Sequence, residues 1–276
     1  MTLEVSMLSA KKGSNPGGLA FIKDPKQRFQ AYLKYCPSSK IDPEYGFNSQ
    51  NQPIYEAVTF EMARRLGLNT PDFYVLLNSH HDVEFDISKE FDGIDPHRKC
   101  YFVSKMINLP ENRDVPKAED RIRKFEKTYL DMLRIDDVIG RKQNYMFLDN
   151  PERILYIDLG CSFVHAVSGF IGIQNAEKKV LNRNDKDLKR ALNILKRYEL
   201  IPNNGSNFIN LAEIVNMPND IYLPTLNPRG RIALSDLLSE MEINNIVKIL
   251  GLSMLDNLKS FDSDLIEQHT QHSLVL

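Results

Sequence analysis

IDDVIGRKQNYMFLDNPERILYIDLGCSF, residues 135–163, is the stretch that decides how the rest of the chain is read. It predicts a helix end, a polar loop closing on Asn144, a short strand, a tight turn at Asp149-Asn150-Pro151, a second strand, and then Asp158-Leu159-Gly160. An Asn and an Asp at the mouths of two adjacent strands are hard oxygen donors. Mg²⁺ needs only one or two protein ligands where phosphate oxygens and water supply the others. Asn144 and Asp158 are therefore candidate metal ligands. The plain alternative is a hairpin with polar ends. What separates the two readings is whether the other parts of a phosphate-handling site lie upstream in the right order.

Residues 1–36 predict a β-meander. Strands are expected over 2–9, 19–23 and 28–36, joined by a glycine-rich turn (KKGSNPGG, 11–18) and a tight turn at Asp24-Pro25-Lys26-Gln27. Gly17 and Gly18 would let backbone N–H groups approach phosphates closely, because no Cβ intervenes. GSNPGG fits neither G-x-x-x-x-G-K-[ST] nor G-x-G-x-x-G, so alone it reads only as a turn. Lys34 sits on the third strand between Leu33 and Tyr35, where a lysine facing a cleft can pair with nucleotide phosphates. A solvated edge-strand lysine is the bland reading, and Lys23 is the rival candidate. After a polar loop, a helix is expected from Pro53 to a stop at Gly67, with Ile54, Val58, Met62 and Leu66 as its core stripe. Glu56 lies beside that stripe and is placed to reach Lys34; Glu61 is the second choice, and a solvent-facing Glu is the alternative for both.

Thr70-Pro71-Asp72 leads into a strand over 73–77, and the polar, acidic segment 78–99 reads as loop. Its His80, His81 and His97 lack a metal-site pattern and are expected to be exposed. A further strand covers 100–107 and a linker 108–115. In a two-lobed arrangement the lobes join there, and the backbone around Phe102 to Lys105, with Phe102 and Val103 as the named contacts, is expected to meet an adenine edge. From residue 116 the pattern turns helical: one helix over 118–135, a basic helix over 185–199 with Leu188, Leu192 and Leu195 inward, and short helices near 208–215, 234–240 and 243–250. The whole is an α+β pattern: residues 1–107 are β-rich with one helix, and residues 108–276 are mostly helical.

The formal charge of −2 argues against nonspecific nucleic-acid binding. Cys36, Cys100 and Cys161 are too widely spaced for a disulfide framework or a zinc site, which fits a reducing compartment. No apolar run approaches the roughly 20 residues of a membrane span. Met1-Thr2-Leu3-Glu4 lacks the basic and apolar regions of a secretory signal. A cytoplasmic protein is expected, or one exported to a host cell without a cleavable signal.

Taken together, the ordered set of glycine-rich hairpin, strand lysine, helix glutamate, extended linker, loop Asn and strand-end Asp resembles the protein-kinase-like superfamily. The likeness is to its atypical branch, which holds the HipA-type bacterial kinases and the phosphatidylinositol kinases. GGLAFIKDPKQRFQAYLKYC resembles the branch's glycine hairpin and nucleotide-lysine strand, IYEAVTFEMARRLGLNTPDF its glutamate helix with a Gly-x-x-x-Pro exit, and NYMFLDNPERILYIDLGCSF its Asn-strand-turn-strand-Ile-Asp-x-Gly block. The likeness covers residues 10–165 well and the helical remainder only in general character. It implies a two-lobed protein-kinase-like fold, with ATP and Mg²⁺ as cofactors. In that reading Gly17 and Gly18 cover the phosphates, Lys34 held by Glu56 grips them, and Asn144 and Asp158 hold the metal. It also implies transfer of the γ-phosphate to a protein Ser or Thr.

One departure stands out. The branch carries an Asp, often with a His, just before the metal Asn, whereas this chain reads Ile139-Gly140-Arg141-Lys142-Gln143-Asn144. Asp137 is the nearest carboxylate to orient an acceptor hydroxyl, with Asp136 next, and Arg141 or Lys142 would instead steady charge on the transferring group. Three alternatives remain. One is a phosphoinositide lipid kinase, whose basic helix near Lys186–Arg197 would face an anionic bilayer, although a solvated helix face is the plainer reading. Another is a nucleotide-binding pseudokinase or interaction scaffold. The third is AMP transfer, since one fold hosts different chemistries. A compact chain of this kind would also suit a toxin or an injected effector, by fold analogy alone.

Overall fold

Strict alternation builds the first layer. In β1 (Leu3–Ser9) the residues Leu3, Val5 and Met7 are buried and Glu4 and Leu8 exposed, the period of two that places one face on a core. β2 (Gly17–Lys23) and β3 (Arg28–Lys34) continue it antiparallel. After α1 (Gln52–Arg65) come β4 (Phe73–Leu77), β5 (Val83–Asp86) and β6 (Cys100–Lys105). The sheet order is β4-β6-β3-β2-β1-β5, antiparallel except where β5 runs parallel to β1. Segment 78–99, expected to be loop, thus supplies an edge strand: Val-Glu-Phe-Asp alternates half-buried with exposed. The computed structural model describes residues 3–9, 16–24, 27–78, 83–86, 95–107, 114–135, 138–139, 141, 143–149, 152–160, 165–167, 170–172, 175–200, 209–226 and 230–258.

Helix α1 opens with proline in its first turn, and Gly67, at φ 81°, closes it as Leu68 N–H donates to the Ala63 carbonyl at 2.9 Å. The expected stripe is buried, but so is every residue from 52 to 63. One flank of α1 packs on the sheet, where Phe60 meets Phe73 and Phe102 at ring-centre distances of 5.4 and 4.9 Å. The other flank faces the helical half, so a single apolar core runs from α1 to the last described helix. A smaller core lies under the opposite face of β1, β2 and β3.

The expected helix over 118–135 starts earlier, because Asp114 caps it by accepting from Lys117 N–H at 3.0 Å. It comprises α2 (Val115–Arg121), a π turn (Ile122–Glu126) and α3 (Lys127–Met132). The hairpin β7 (Tyr145–Asp149) and β8 (Glu152–Tyr156) comes next, then the short pair β9 (His165–Val167) and β10 (Phe170–Gly172). Beyond lie α4 (Asn175–Leu181), α5 (Asp185–Leu195), the bridge-like β11 (Glu199–Leu200) and β12 (Ile209–Asn210), α6 (Leu211–Asn216), the pair β13 (Tyr222–Pro224) and β14 (Arg231–Ala233), and α7 (Glu240–Asp256). α7 is far longer than the expected 243–250 segment, because Ser239 and Glu242 form a reciprocal capping box at its start. Near 234–240 there is only a 3₁₀ turn, Leu234–Asp236. Gly251 lets α7 approach α5: a Cβ there would meet Leu188 Cδ1 at 2.7 Å. Thr225 bridges to Val75, so a late part of the chain covers the outer edge of β4. Among the described residues no helix is long and apolar enough to cross a membrane.

Candidate active site

β3 buries Phe29, Ala31 and Leu33 in the smaller core, so the alternation turns Lys34 to the opposite face, toward α1. There its Nζ lies 2.7 Å from Glu56 Oε1 and 2.9 Å from Asp158 Oδ1. Three elements widely separated in the chain therefore meet at one ammonium group. The lysine and glutamate side chains are 8% and 2% exposed, while the aspartate is 39% exposed and forms the open end of the triad. A lysine has three N–H donors, and these two contacts use two of them.

The backbone around Asp158 is fixed from both sides. Asn69, just past α1, accepts Tyr156 N–H at 2.8 Å and donates its side-chain amide to the Ile154 carbonyl at 3.2 Å. On the other side, the Asn144 carbonyl accepts from Ile157 N–H at 2.9 Å and from Asp158 N–H at 3.2 Å. The Asn and the Asp singled out from the sequence are thus backbone neighbours, as the strand-mouth reading requires. Gly160 N–H donates to Asp158 Oδ1 at 3.2 Å. A Cβ on Gly160 would sit 2.9 Å from Glu56 Oε2 and 3.3 Å from Asp158 Oδ1, so glycine is demanded by the closeness of the two carboxylates.

Burial works against charge on Lys34, but the Asp158 and Glu56 carboxylates outweigh it and hold the ammonium's pKa above its ordinary 10.5. Burial likewise pushes the Asp158 carboxyl up. Lys34, the Gly160 amide and Arg141 reverse this and leave its pKa below the usual 3.8. Both groups are ionised at neutral pH, and the contacts are charge-assisted at both ends.

The other sequence candidates fall into place unevenly. Arg141 is exposed and close enough to act on the Asp158 charge. Asp137, with Asp136 and Lys142, lies outside the described residues. Gly17 and Gly18 belong to β2 rather than to a turn, and Gly17, at φ +150°, stands directly opposite Lys34 in the ladder. A Cβ on Gly17 would fall 1.9 Å from the Leu33 carbonyl oxygen. The tip of that hairpin, residues 10–15, lies outside the described residues. Phe102 and Val103 require a correction. They sit mid-strand in β6, paired to β3 on one side and β4 on the other, and both are fully buried. Neither has a backbone edge or a surface to offer adenine. Phe102 instead backs the site, its ring centre 5.8 Å from Lys34 Nζ. Lys23 is spent on the surface with Glu4, at 2.6 Å, and Glu61 pairs with Arg65 at 3.5 Å. His97 is exposed as expected, while His80 and His81 lie outside the described residues.

Among the described residues no group of three or more His, Cys, Asp or Glu gathers as a metal centre. The donor set does fit a cation that arrives with phosphates. Asp158 Oδ1 is taken by Lys34 and Gly160, and the side chain is the exposed member of the triad.

Sequence reading missed the support for α1. Glu242, buried at the start of α7, accepts from Asn51 Nδ2 at 2.8 Å, from the Tyr55 hydroxyl, and from Ser239 Oγ and N–H at 2.8 and 2.9 Å. Tyr55, the residue beside Glu56, is thereby bonded to α7. The Ser-x-x-Glu cap was visible in the sequence, but its reach across the fold was not.

No protein-family model matches the chain, and no curated protein does. Among solved structures it is similar to the proinflammatory kinase CtkA of Helicobacter pylori, at 12% identity and a TM-score of 0.41, over 96% of this chain and 99% of that one. A likeness of that degree carries no functional weight; the side chains gathered around Lys34 do.

Proposed function

We propose that the chain is an ATP- and Mg²⁺-dependent phosphotransferase of the protein-kinase-like type, acting on Ser or Thr hydroxyls of a protein. The observation that carries this is the Lys34 ammonium held between buried Glu56 and half-open Asp158. Phosphoryl transfer in such enzymes is mostly positioning and electrostatics, and it requires a strand lysine paired to a helix glutamate with a metal-binding aspartate beside them. When bound, ATP supplies the γ-phosphoryl group and Mg²⁺ offsets charge on its oxygens.

Each residue then has a separate task. Glu56 keeps the Lys34 ammonium extended and charged, and its third N–H is available to an α- or β-phosphate oxygen. Asp158, with Asn144, would hold the metal through hard oxygens. Gly17 lets β2 pair closely with β3 opposite Lys34, since a Cβ there would fall on the Leu33 carbonyl. Arg141, already acting on Asp158, would steady charge on the transferring group. To Asp137 we assign the orientation of the acceptor hydroxyl.

A second reading is nucleotide binding without transfer. It is favoured by the loop before Asn144, where Val138, Ile139, Arg141 and Gln143 offer no carboxylate. Intact-mass measurement of the chain and of a Ser/Thr-rich acceptor protein, after incubation with ATP and Mg²⁺, separates the possibilities. Phosphoryl additions that vanish in Asp158→Ala are expected. AMP additions would replace the reaction class. A melting temperature raised by ATP and Mg²⁺ with no mass change would establish the scaffold reading. Neither a mass change nor a melting shift would overturn both.

A further inference from the structure

One stretch of this protein's surface pairs its cations with acids along the helix. Along α2, the π turn and α3, Arg123 pairs with Glu119, Lys124 with Asp120 and Lys127 with Asp131, each one helical turn away. Helix α5 is arranged differently. Its acids, Asp185 and Asp187, stand in the first turn; Lys186, Lys189 and Arg190 follow at helical spacing on one face, and Arg197 lies in the turn just past the helix end. None of these four forms an ion pair among the described residues. Together with Asn193 and Ile194 they line a groove of about 570 Å³. The arrangement works against the helix. Like charges one turn apart repel, and Lys186 and Lys189 sit toward the positive end of the helix dipole.

We propose that this groove is a docking site for an acidic, extended segment of a partner protein. Charge complementarity sets the class, and the shape narrows it. From Lys186 to Leu195 the helical part of the stripe rises about 13 Å, the length of about four extended residues, and Arg197 prolongs it past the helix end. The alkyl stems and Ile194 give the groove an apolar floor, suited to a segment with one apolar residue among its acids. A bilayer is the poorer match, because the apolar face of α5 is already committed: Ala191 and Leu195 are fully buried, and Leu188 packs at Gly251 of α7. That face cannot insert as an interfacial helix does. Nucleic acid is poorer again, since the stripe has no aromatic side chain for bases to stack on and the whole chain carries a charge of −2. The proposal is independent of phosphotransfer and can fail or stand without it.

The test is fluorescence anisotropy with a labelled hexapeptide of five Glu and one Leu. It compares the intact chain with Lys189→Glu/Arg190→Glu and with a control, Lys178→Glu/Lys179→Glu, which reverses two exposed lysines of α4. Expected are binding that weakens steeply from about 50 to about 300 mM salt, a loss of at least about tenfold in the α5 variant, and little change in the control. The α5 variant should melt at or above the temperature of the intact chain, because it relieves repulsion. Lys189→Gln gives a milder version, with a smaller loss in the same direction. Absence of peptide binding at low salt, or equal losses in both double variants, overturns the proposal. So does stripe-dependent binding to phosphatidylserine–phosphatidylcholine vesicles or to a single-stranded oligonucleotide that exceeds binding to the peptide.

Discussion

Two buried glutamates hold α1 in place, and they do so in different ways. Glu242 faces neutral donors, namely the Asn51 amide, the Tyr55 hydroxyl and the Ser239 hydroxyl and N–H, and it is closed off from water. Glu56 faces an ammonium, and beyond that ammonium lies an aspartate still 39% exposed. Neutral donors satisfy a carboxylate where it sits and leave nothing for a newcomer, so Glu242 acts as a fastening. A charged partner with a further N–H, next to a carboxylate open to solvent, leaves capacity for an anion and a cation together. Burial alone does not distinguish a site from a strut; what remains unengaged at the rim does.

The contrast is broken or sharpened by substitution, and the largest effect should come from the open end. Asp158→Ala is expected to lower phosphoryl transfer by at least about a hundredfold while the protein stays folded, as seen by mass spectrometry alongside a melting curve. Lys34→Ala should match that loss and also destabilise by about 3–5 kcal/mol, because Glu56 is left buried without its cation; urea unfolding reports it. Glu242→Ala should invert the pattern. The donors left without an acceptor cost about 3 kcal/mol of stability, whereas transfer per folded molecule changes by less than about threefold. An activity loss like that of Asp158→Ala would make Glu242 part of the site after all.

The same contrast has a pH signature. Tyr55 and Tyr156 are held well above 10.0, by burial first and then by the facing carboxylates of Glu242 and Glu126. A pKa raised in the folded state contributes stability that is complete below the unfolded value and lost as pH climbs past it. Urea midpoints should therefore drop between about pH 9 and about pH 11, and Tyr55→Phe with Tyr156→Phe should flatten the drop. The triad behaves differently. Asp158 is shifted below 3.8 and Lys34 above 10.5, so these two charges persist between those limits. Ionisations seen in a pH–rate profile near neutrality should then survive conservative changes elsewhere in the triad. The smallest effect belongs to Lys23→Ala: its exposed pair with Glu4 is worth less than about 1 kcal/mol, and transfer should be unchanged.

The meeting of Lys34, Glu56 and Asp158, with the Asn144 backbone beside Asp158, was legible because each is tied to a local signal: a strand period, a proline-led helix start, a strand mouth, an Asp-x-Gly turn. The adenine-edge assignment to Phe102 and Val103 failed for a reason that local signals cannot supply. CYFVSK reads as a strand, but nothing in it tells whether one side or both are paired. Likewise VEFD, four residues inside an acidic segment, becomes a strand only because β1 offers it an edge. The periodic stripe on α1 was right as far as it went. It could not show that the polar positions between are covered too, since that depends on a helix far downstream in the chain.

That last point bears on how the molecule is made. As the chain leaves the ribosome, the sheet strands and α1 emerge long before α7 and before the Thr225 segment that caps β4. Until those arrive, α1 has one apolar flank and a set of hydrogen-bond donors facing water. Its glutamate is then held on an unanchored helix. A chain cut short before α7 would leave that flank of α1 uncovered and would lack the Glu242 fastening at Asn51 and Tyr55.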